Sequence, residues 1–474
     1  MSGIDSLKSV FAPHSSLRAP SPGLHHYTRQ DADEKSRIHL RLDPDGHGTL
    51  IVNANRVMHL NPTAAFMAWM ILEGKRDDEI VKVCSKKWHV KNSQLQADLS
   101  TFNFQLSNLI RPDGACPIHD LELEVDMPFS ARPSAPYRMD LAVTYRCNND
   151  CAHCYNARER DFPELTTGQW IKIIDQLWTL GVPHIVFTGG EPTLRNDLPE
   201  LIRHAESNGQ ITGLNTNARR LDEKYLRQLV DAGLDHVQIT LESCDEQVHD
   251  QMVRAKGAFK QTVRGLKNAL ASPLYVMTNT TMLKTNAHRI PATLDFLAEV
   301  GVPTVGLNAL IYSGHGLTVG TGLKESELQP ILDIATRKTS EHGQRLIWYT
   351  PTQYCEFDPT ANNLGVKGCT AALYSMCVES NGDVLPCQSY YHALGNLLTD
   401  SWDSIWNHEL SVQLRERRNL PAKCNDCSLV AECGGGCPLQ FETPRAALGV
   451  EQGSISSSYR VSTQSTQRAQ RISS

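Results

Sequence analysis

The chain has 474 residues, 40% hydrophobic and 21% charged, with a formal net charge of −6. That length exceeds one compact core and points to about three units; the charge balance gives no basic surface for nucleic acid or an anionic membrane. No run of about 18 apolar residues offers a membrane span, and the first thirty residues lack the apolar stretch of a signal peptide, so a cytoplasmic protein is expected.

Residues 1–34, rich in Ser, Pro and His without periodicity, are expected to form a flexible arm. Residues 35–112 follow as a small unit of three short strands, 38–42, 50–53 and 56–60, then three helices. Asn61 reads as an N-cap with Pro62 at the first helical position and Gly74 as the stop. In the third helix Leu95, Leu99, Phe102, Leu106 and Leu109 share one face. Such a winged-helix-like unit binds DNA or a peptide. Its third helix carries no Lys or Arg, which favours peptide over phosphate.

A linker, 113–137, leads to 138–345, where strand and helix alternate six times. The candidate strands are 139–143, 184–188, 211–215, 236–241, 275–281 and 304–310. Thr166 and Gln169 form a capping box, and Trp170, Ile173, Ile174 and Leu177 share a helix face that ends at Gly181. The class is therefore α/β, a partial (β/α)6 barrel related to the TIM barrel, with its chemistry at the carboxyl ends of the strands. Residues 346–446 lose this rhythm and become rich in Cys, Gly and Pro, as a loop-rich fold held by metal would be; 447–474 reads as a disordered tail.

Fourteen cysteines are too many for idle thiols in a reducing compartment, and most gather in two patches, 147–154 and 355–437. Directly after the first barrel strand comes YRCNNDCAHCYNA, in which Cys147, Cys151 and Cys154 are spaced C-x-x-x-C-x-x-C. Three thiolates on one loop can hold three irons of a [4Fe-4S] cube and leave the fourth iron open, whereas structural zinc asks for four ligands.

At these residues the sequence resembles the radical S-adenosylmethionine (radical SAM) superfamily. By that resemblance Gly189, Gly190 and Glu191, with Pro192, in FTGGEPTLR line the side where the amino group of SAM lies. Asn215 and Asn217 in LNTN and Ser243 in ITLES become candidates for the ribose, and Arg254 for the SAM carboxylate. The bland alternatives are strand-end turns for the first seven and a surface ion pair for Arg254. Glu242 and Ser243 stand where relatives often have Asp-Gly, which leaves the contacts of that turn open.

The second patch runs Cys369, Gly382, Cys387, then Cys424-x-x-Cys427, Cys433 and Cys437, and resembles a SPASM domain, which carries one or two auxiliary [4Fe-4S] clusters. The resemblance gives Cys369, Cys387 and Cys437 to the first cluster, with Cys377 as a fourth ligand, and Cys424, Cys427 and Cys433 to the second. The family's last cysteine is missing, since none follows Cys437. A non-cysteine ligand, an open iron, recruitment of Cys355 or absence of the second cluster all stay open, as does zinc in the 424–437 knuckle. Cys84, Cys116 and Cys244 are expected to be structural.

Residues 50–81 also resemble the PqqD-like domains of peptide-modifying pathways, which capture a leader peptide as an added strand; an oligomerisation or capping module is the alternative. Together the resemblances imply a maturase of a ribosomally made, post-translationally modified peptide. SAM would yield a 5'-deoxyadenosyl radical that takes hydrogen from the core peptide, with electrons from a donor such as flavodoxin or ferredoxin. A sulfatase-maturase-like enzyme and a non-catalytic redox-sensing scaffold are the competing expectations. The bond formed or broken is not legible.

Overall fold

The computed structural model describes residues 20–30, 35–53, 56–110 and 133–441. Most of the expected arm and linker, Cys116 and the expected tail lie outside them.

The N-terminal unit is an antiparallel sheet of four strands in the order β1 (Gly23–Gln30), β2 (Lys35–Leu42), β3 (Gly48–Val52) and β4 (Arg56–Leu60). Strand β1 falls inside the stretch read as an arm. It pairs with β2 along its whole length, from Gly23 opposite Leu42 to Gln30 opposite Lys35. Its sequence, GLHHYTRQ, contains too few apolar residues to show alternation, so only pairing reveals it. Helices α1 (Pro62–Leu72), α2 (Asp77–Trp88) and α3 (Asn92–Ile110) follow. Asn61 caps α1 by accepting from the Ala64 N–H at 2.9 Å, with Pro62 next to it as the missing donor would suggest. The five apolar residues of α3 are all buried in one core with Ile38, Leu40 and Leu50 of the sheet, and Cys84 joins them.

The larger sheet has nine strands among the described residues. Its centre is the expected parallel series: β5 (Arg138–Thr144), β6 (His184–Gly189), β7 (Ile211–Thr216), β8 (His236–Thr240), β9 (Tyr275–Thr281) and β10 (Thr304–Asn308). Between them run α4 (Thr167–Thr179), α5 (Leu198–Asn208), α6 (Glu223–Asp231), α7 (Glu246–Val253), α8 (Ala258–Leu270) and α9 (Ile290–Val300). The capping box of Thr166 with Gln169 starts α4, which buries Trp170, Ile173, Ile174 and Leu177 against the sheet. After α10 (Gln329–Glu341), β11 (Arg345–Trp348) adds a seventh parallel strand beside β10.

The opposite edge is closed by the cysteine-rich region. β12 (Ser375–Val378) lies parallel to β5, and β13 (Val384–Leu385) folds back antiparallel on β12. The C-terminal region thus continues the barrel sheet rather than hanging from it.

The N-terminal unit docks at the amino ends of the barrel strands. His39 Nε2 donates to Gly209 O at 2.8 Å, and Arg37 donates to Gln210 O at 3.2 Å and pairs with Asp235 at 3.1 Å and with Glu206. Arg41, almost wholly buried, donates to Ala135 O at 2.8 Å. Buried charges need such partners, because each left unpaired costs several kcal/mol.

Candidate active site and cluster-binding cysteines

The loop that follows β5 carries Cys147, Cys151 and Cys154 and is tied down from several sides. Asp150 N and Ala152 N donate to Val253 O and Met252 O, at 3.1 and 2.8 Å, so the last turn of α7 holds the middle of the loop. Cys154 O accepts from His315 N at 2.9 Å and Cys151 O from His315 Nδ1 at 3.1 Å. Gly314 must be glycine there: its φ is +54° and a Cβ would stand 2.5 Å from Cys154 O. Asn217 Nδ2 donates to Asn148 Oδ1 at 2.7 Å and Arg219 Nη1 to Asn149 Oδ1 at 2.6 Å.

The turn after β6 is zipped onto the start of this loop. Gly190 N donates to Thr144 O and Glu191 N to Arg146 O, both at 2.8 Å. Gly189 has φ +134°, and a Cβ on it or on Gly190 would come within 2.0 Å of Thr144 O or 2.4 Å of Arg146 O. The two glycines are therefore explained by close backbone approach.

Glu191 is fully buried, and its carboxylate is spent inside the protein. Oε1 accepts from Thr193 N, Thr193 Oγ1 and Thr216 Oγ1 at 3.1, 2.6 and 2.7 Å, and Oε2 accepts from Asn217 N at 2.8 Å. Burial raises its pKa while these donors oppose the rise. Glu191 thus couples the ends of β6 and β7, and Pro192 starts the short 3-10 turn Pro192–Leu194 beside it.

Other expected residues are placed as follows. Asn215 lies near the end of β7, two residues before Asn217. Ser243 is buried, and its Oγ accepts from Asp245 N at 3.1 Å, a local turn contact. Arg254 caps α7 in a left-handed conformation, φ 48°, and meets Asp150 at 3.5 Å with half of its side chain exposed. So loose a surface pair contributes little to stability and leaves the guanidinium free to turn.

Two sets of contacts were not legible from pattern. His153 and Glu242 form a buried pair, Nε2 to Oε1 at 2.9 Å, beside Cys154, and Glu242 Oε2 also accepts from Thr281 N at 2.9 Å. Tyr391, in the C-terminal region, donates to Asn156 Oδ1 and Tyr155 O at 2.5 and 3.0 Å, while Tyr155 donates to Gln388 Oε1 at 3.0 Å. No short motif announces contacts between residues over 200 positions apart.

The thiols of the loop act on one another. Burial pushes Cys147 up to about 11, with the charges of Glu191 and then Cys154 adding, and Cys151 well above the usual range, with Cys154, Glu242 and Cys147 adding. Burial raises Cys154 as well. Such a group favours its thiolate form once cationic iron offsets the mutual repulsion. Three thiols on one short loop, each acting on another's charge, suit ligation of separate irons of one cube. The donor set fits a cluster.

In the C-terminal region Cys369, Cys387 and Cys437 form a second group. Burial pushes Cys387 up to about 12, with the charges of Cys369 and Asp140 adding; Cys437 is raised by burial, then by Cys369 and Cys387. Cys377 sits at the margin of this group on β12, packed with Ala142 and Leu385. Cys424, Cys427 and Cys433 form a third group: burial raises Cys424, then the charges of Cys433, Cys355 and Cys427.

Comparison with known proteins follows this division. The model of the radical SAM superfamily matches residues 141–297, and that of the iron-sulfur cluster-binding SPASM domain matches 369–428. The Fe-coproporphyrin III synthase of Methanosarcina barkeri is 30% identical over 333 residues, covering 63% of this chain and 82% of that protein. The chain belongs to the radical SAM superfamily. A PqqA peptide cyclase of Bradyrhizobium diazoefficiens is likewise 30% identical over 319 residues, covering 64% of this chain and 82% of its own. Among solved structures, Streptococcus suis SuiB bound to its precursor peptide SuiA shares the fold with a TM-score of 0.63 at 17% identity, over 89% of this chain and 98% of its own. This radical SAM enzyme uses SAM and a [4Fe-4S] cluster, and its SPASM domain carries auxiliary iron-sulfur centres. No helix among the described residues is long and apolar enough to cross a membrane.

Proposed function

We propose that this radical SAM enzyme matures a ribosomally made precursor peptide. The N-terminal unit, residues 35–112 extended by β1, would hold the leader, and the barrel, 138–345, would act on the core. Cys147, Cys151 and Cys154 hold the catalytic cluster in this reading. Gly189, Gly190, Pro192, Asn215, Asn217, Ser243 and Arg254 surround SAM, with Glu191 as a positioning residue. Cys369, Cys387 and Cys437 hold the first auxiliary cluster with Cys377 beside them, and Cys424, Cys427 and Cys433 the second.

The observation that carries the peptide reading is the N-terminal sheet with an available edge. β4 pairs with β3 and with no second strand among those described, and Val57 on it exposes its apolar side chain. An extended peptide adds to such an edge through backbone hydrogen bonds, with side-chain pockets setting specificity. The likeness to SuiB, solved with a bound precursor peptide, and to a peptide cyclase supports the same reading.

When bound, SAM and the cluster supply a 5'-deoxyadenosyl radical that removes a hydrogen atom from substrate. The chain's own residues fix the cysteine loop through Met252, Val253 and His315, and close the glycine turn against it. Electrons would come from an external donor such as a flavodoxin or ferredoxin.

The test is anaerobic reconstitution with iron and sulfide, then SAM, dithionite and a short precursor, with 5'-deoxyadenosine and peptide mass followed together. Deoxyadenosine formation with a change in precursor mass is the expected result. Conversion of a coproporphyrin with every candidate precursor left unchanged would overturn the peptide reading, as a relative of that activity makes this the sharpest rival.

A further inference from the structure

We propose that Cys355 is the fourth protein ligand of the second auxiliary cluster, completing the set of Cys424, Cys427 and Cys433; this rests on the assignment of those three cysteines given above. The segment 352–356 runs against the cysteine knuckle. Tyr354 N donates to Cys433 Sγ at 3.4 Å, and that sulfur lies 3.6 Å from Thr352 O. Gly436 packs on the same segment so closely that a Cβ would stand 3.2 Å from Gln353 N. On the other side Lys423 Nζ donates to Glu356 Oε1 at 3.5 Å. One neighbour of Cys355 is thus fixed to the ligand Cys433, and the other to the residue before Cys424.

A further observation agrees. The Cys355 thiol is exposed, and among the described residues it meets Gln353 Oε1 at a weak 3.9 Å.

The rival is an oxygen ligand. Glu432, beside Cys433, has a buried Oε2 with no hydrogen-bond partner among the described residues. Thiolate suits the irons of such a cube better than carboxylate, which favours Cys355.

The experiment uses the full chain, reconstituted anaerobically as wild type, C424A, C355A and E432Q. Iron, sulfide and zinc are counted and the reduced proteins examined by electron paramagnetic resonance. In wild type, alkylation of Cys355 by iodoacetamide is also mapped by mass before and after cluster loading, a measurement that needs no variant to fold. C355A should reproduce the C424A defect, a loss of up to about four irons per chain or a displaced signal of the second cluster. E432Q should match wild type, and loading should slow Cys355 alkylation at least about tenfold. A wild-type iron count and spectrum in C355A, equal alkylation before and after loading, or the defect appearing in E432Q instead would each overturn the proposal. An unaffected C424A, or zinc in place of iron, would overturn the cluster assignment itself, so the two failures are distinguishable.

Discussion

Glu191 shows how tightly a motif residue can be tied into the protein around it. Its two oxygens take four hydrogen bonds from Thr193, Thr216 and Asn217, and Asn217 in turn holds Asn148 beside Cys147. Replacement by Gln sets an amide N–H₂ against at least one of these donors. E191Q should therefore lose about 1–3 kcal/mol at this junction, read as a roughly 10- to 100-fold weaker SAM affinity by equilibrium dialysis. Unchanged affinity would show that the network is not coupled to the site. The glycine beside it makes a sharper case. At Gly190 a Cβ meets the Arg146 carbonyl, which is backbone and cannot swing aside. G190A should lose the catalytic cluster, about four irons per chain, while the auxiliary iron stays; iron analysis with SAM cleavage checks this. The glycines and cysteines were legible in sequence because their chemistry allows few substitutes. The hydrogen bonds of Glu191 to Thr216 and Asn217 were not, since they lie 25 and 26 positions away and only the fold brings them together.

The elements divide in the same way. The six barrel strands and the face of α4 follow from apolar runs and helical periodicity, which the buried sheet demands whatever surrounds it. β1, β12 and β13 escape that logic. The first is polar, and the others are four and two residues long in a region dominated by cysteine and turn residues. Each is a strand because a partner edge is available: β2 for one and β5 for the pair. The join of β12 to β5 fixes the C-terminal region next to the cysteine loop, and Tyr391 secures it through Asn156 and Tyr155. Y391F removes both bonds with little change in volume. It should lower stability by about 1–3 kcal/mol, seen as a lower melting temperature at unchanged iron content. An unaltered melting temperature would mean that β12 alone secures the join.

At the scale of the whole molecule, the N-terminal unit and the cysteine loop lie at opposite ends of the barrel strands. A six-residue strand such as β6 separates them by about 20 Å at 3.3 Å per residue. A precursor held by its leader must span at least that gap, which needs roughly six extended residues between leader and modified position. Progressive shortening of this spacer should abolish modification near that length while leader affinity stays constant; full modification with a two-residue spacer would refute the placement. The docking surface itself should respond to pH. Burial lowers His39 to about 3, helped by His26 and Arg37 and opposed by its bond to Gly209. Its folded value is depressed, so docking is strongest above the unfolded value of about 6.5 and weakens by about 1.4 kcal/mol per unit as pH falls from there toward 3. Amide exchange in β1 and β2, corrected for intrinsic rates, should quicken about tenfold between pH 5.5 and 4.5, and H39Q should reduce that dependence.

The sequence by itself determined the barrel, the three cysteine groups and the family, because iron-sulfur ligation and a buried parallel sheet each impose short-range patterns of residue type. Tertiary structure alone decided what those parts do to one another: that β12 extends the barrel, that Arg37, His39 and Arg41 fasten the N-terminal unit to the end far from the cysteine loop, and that the segment before Cys355 runs against Cys433. These depend on contacts between residues tens to hundreds of positions apart, where each partner's chemistry is ordinary and only the fold brings them together.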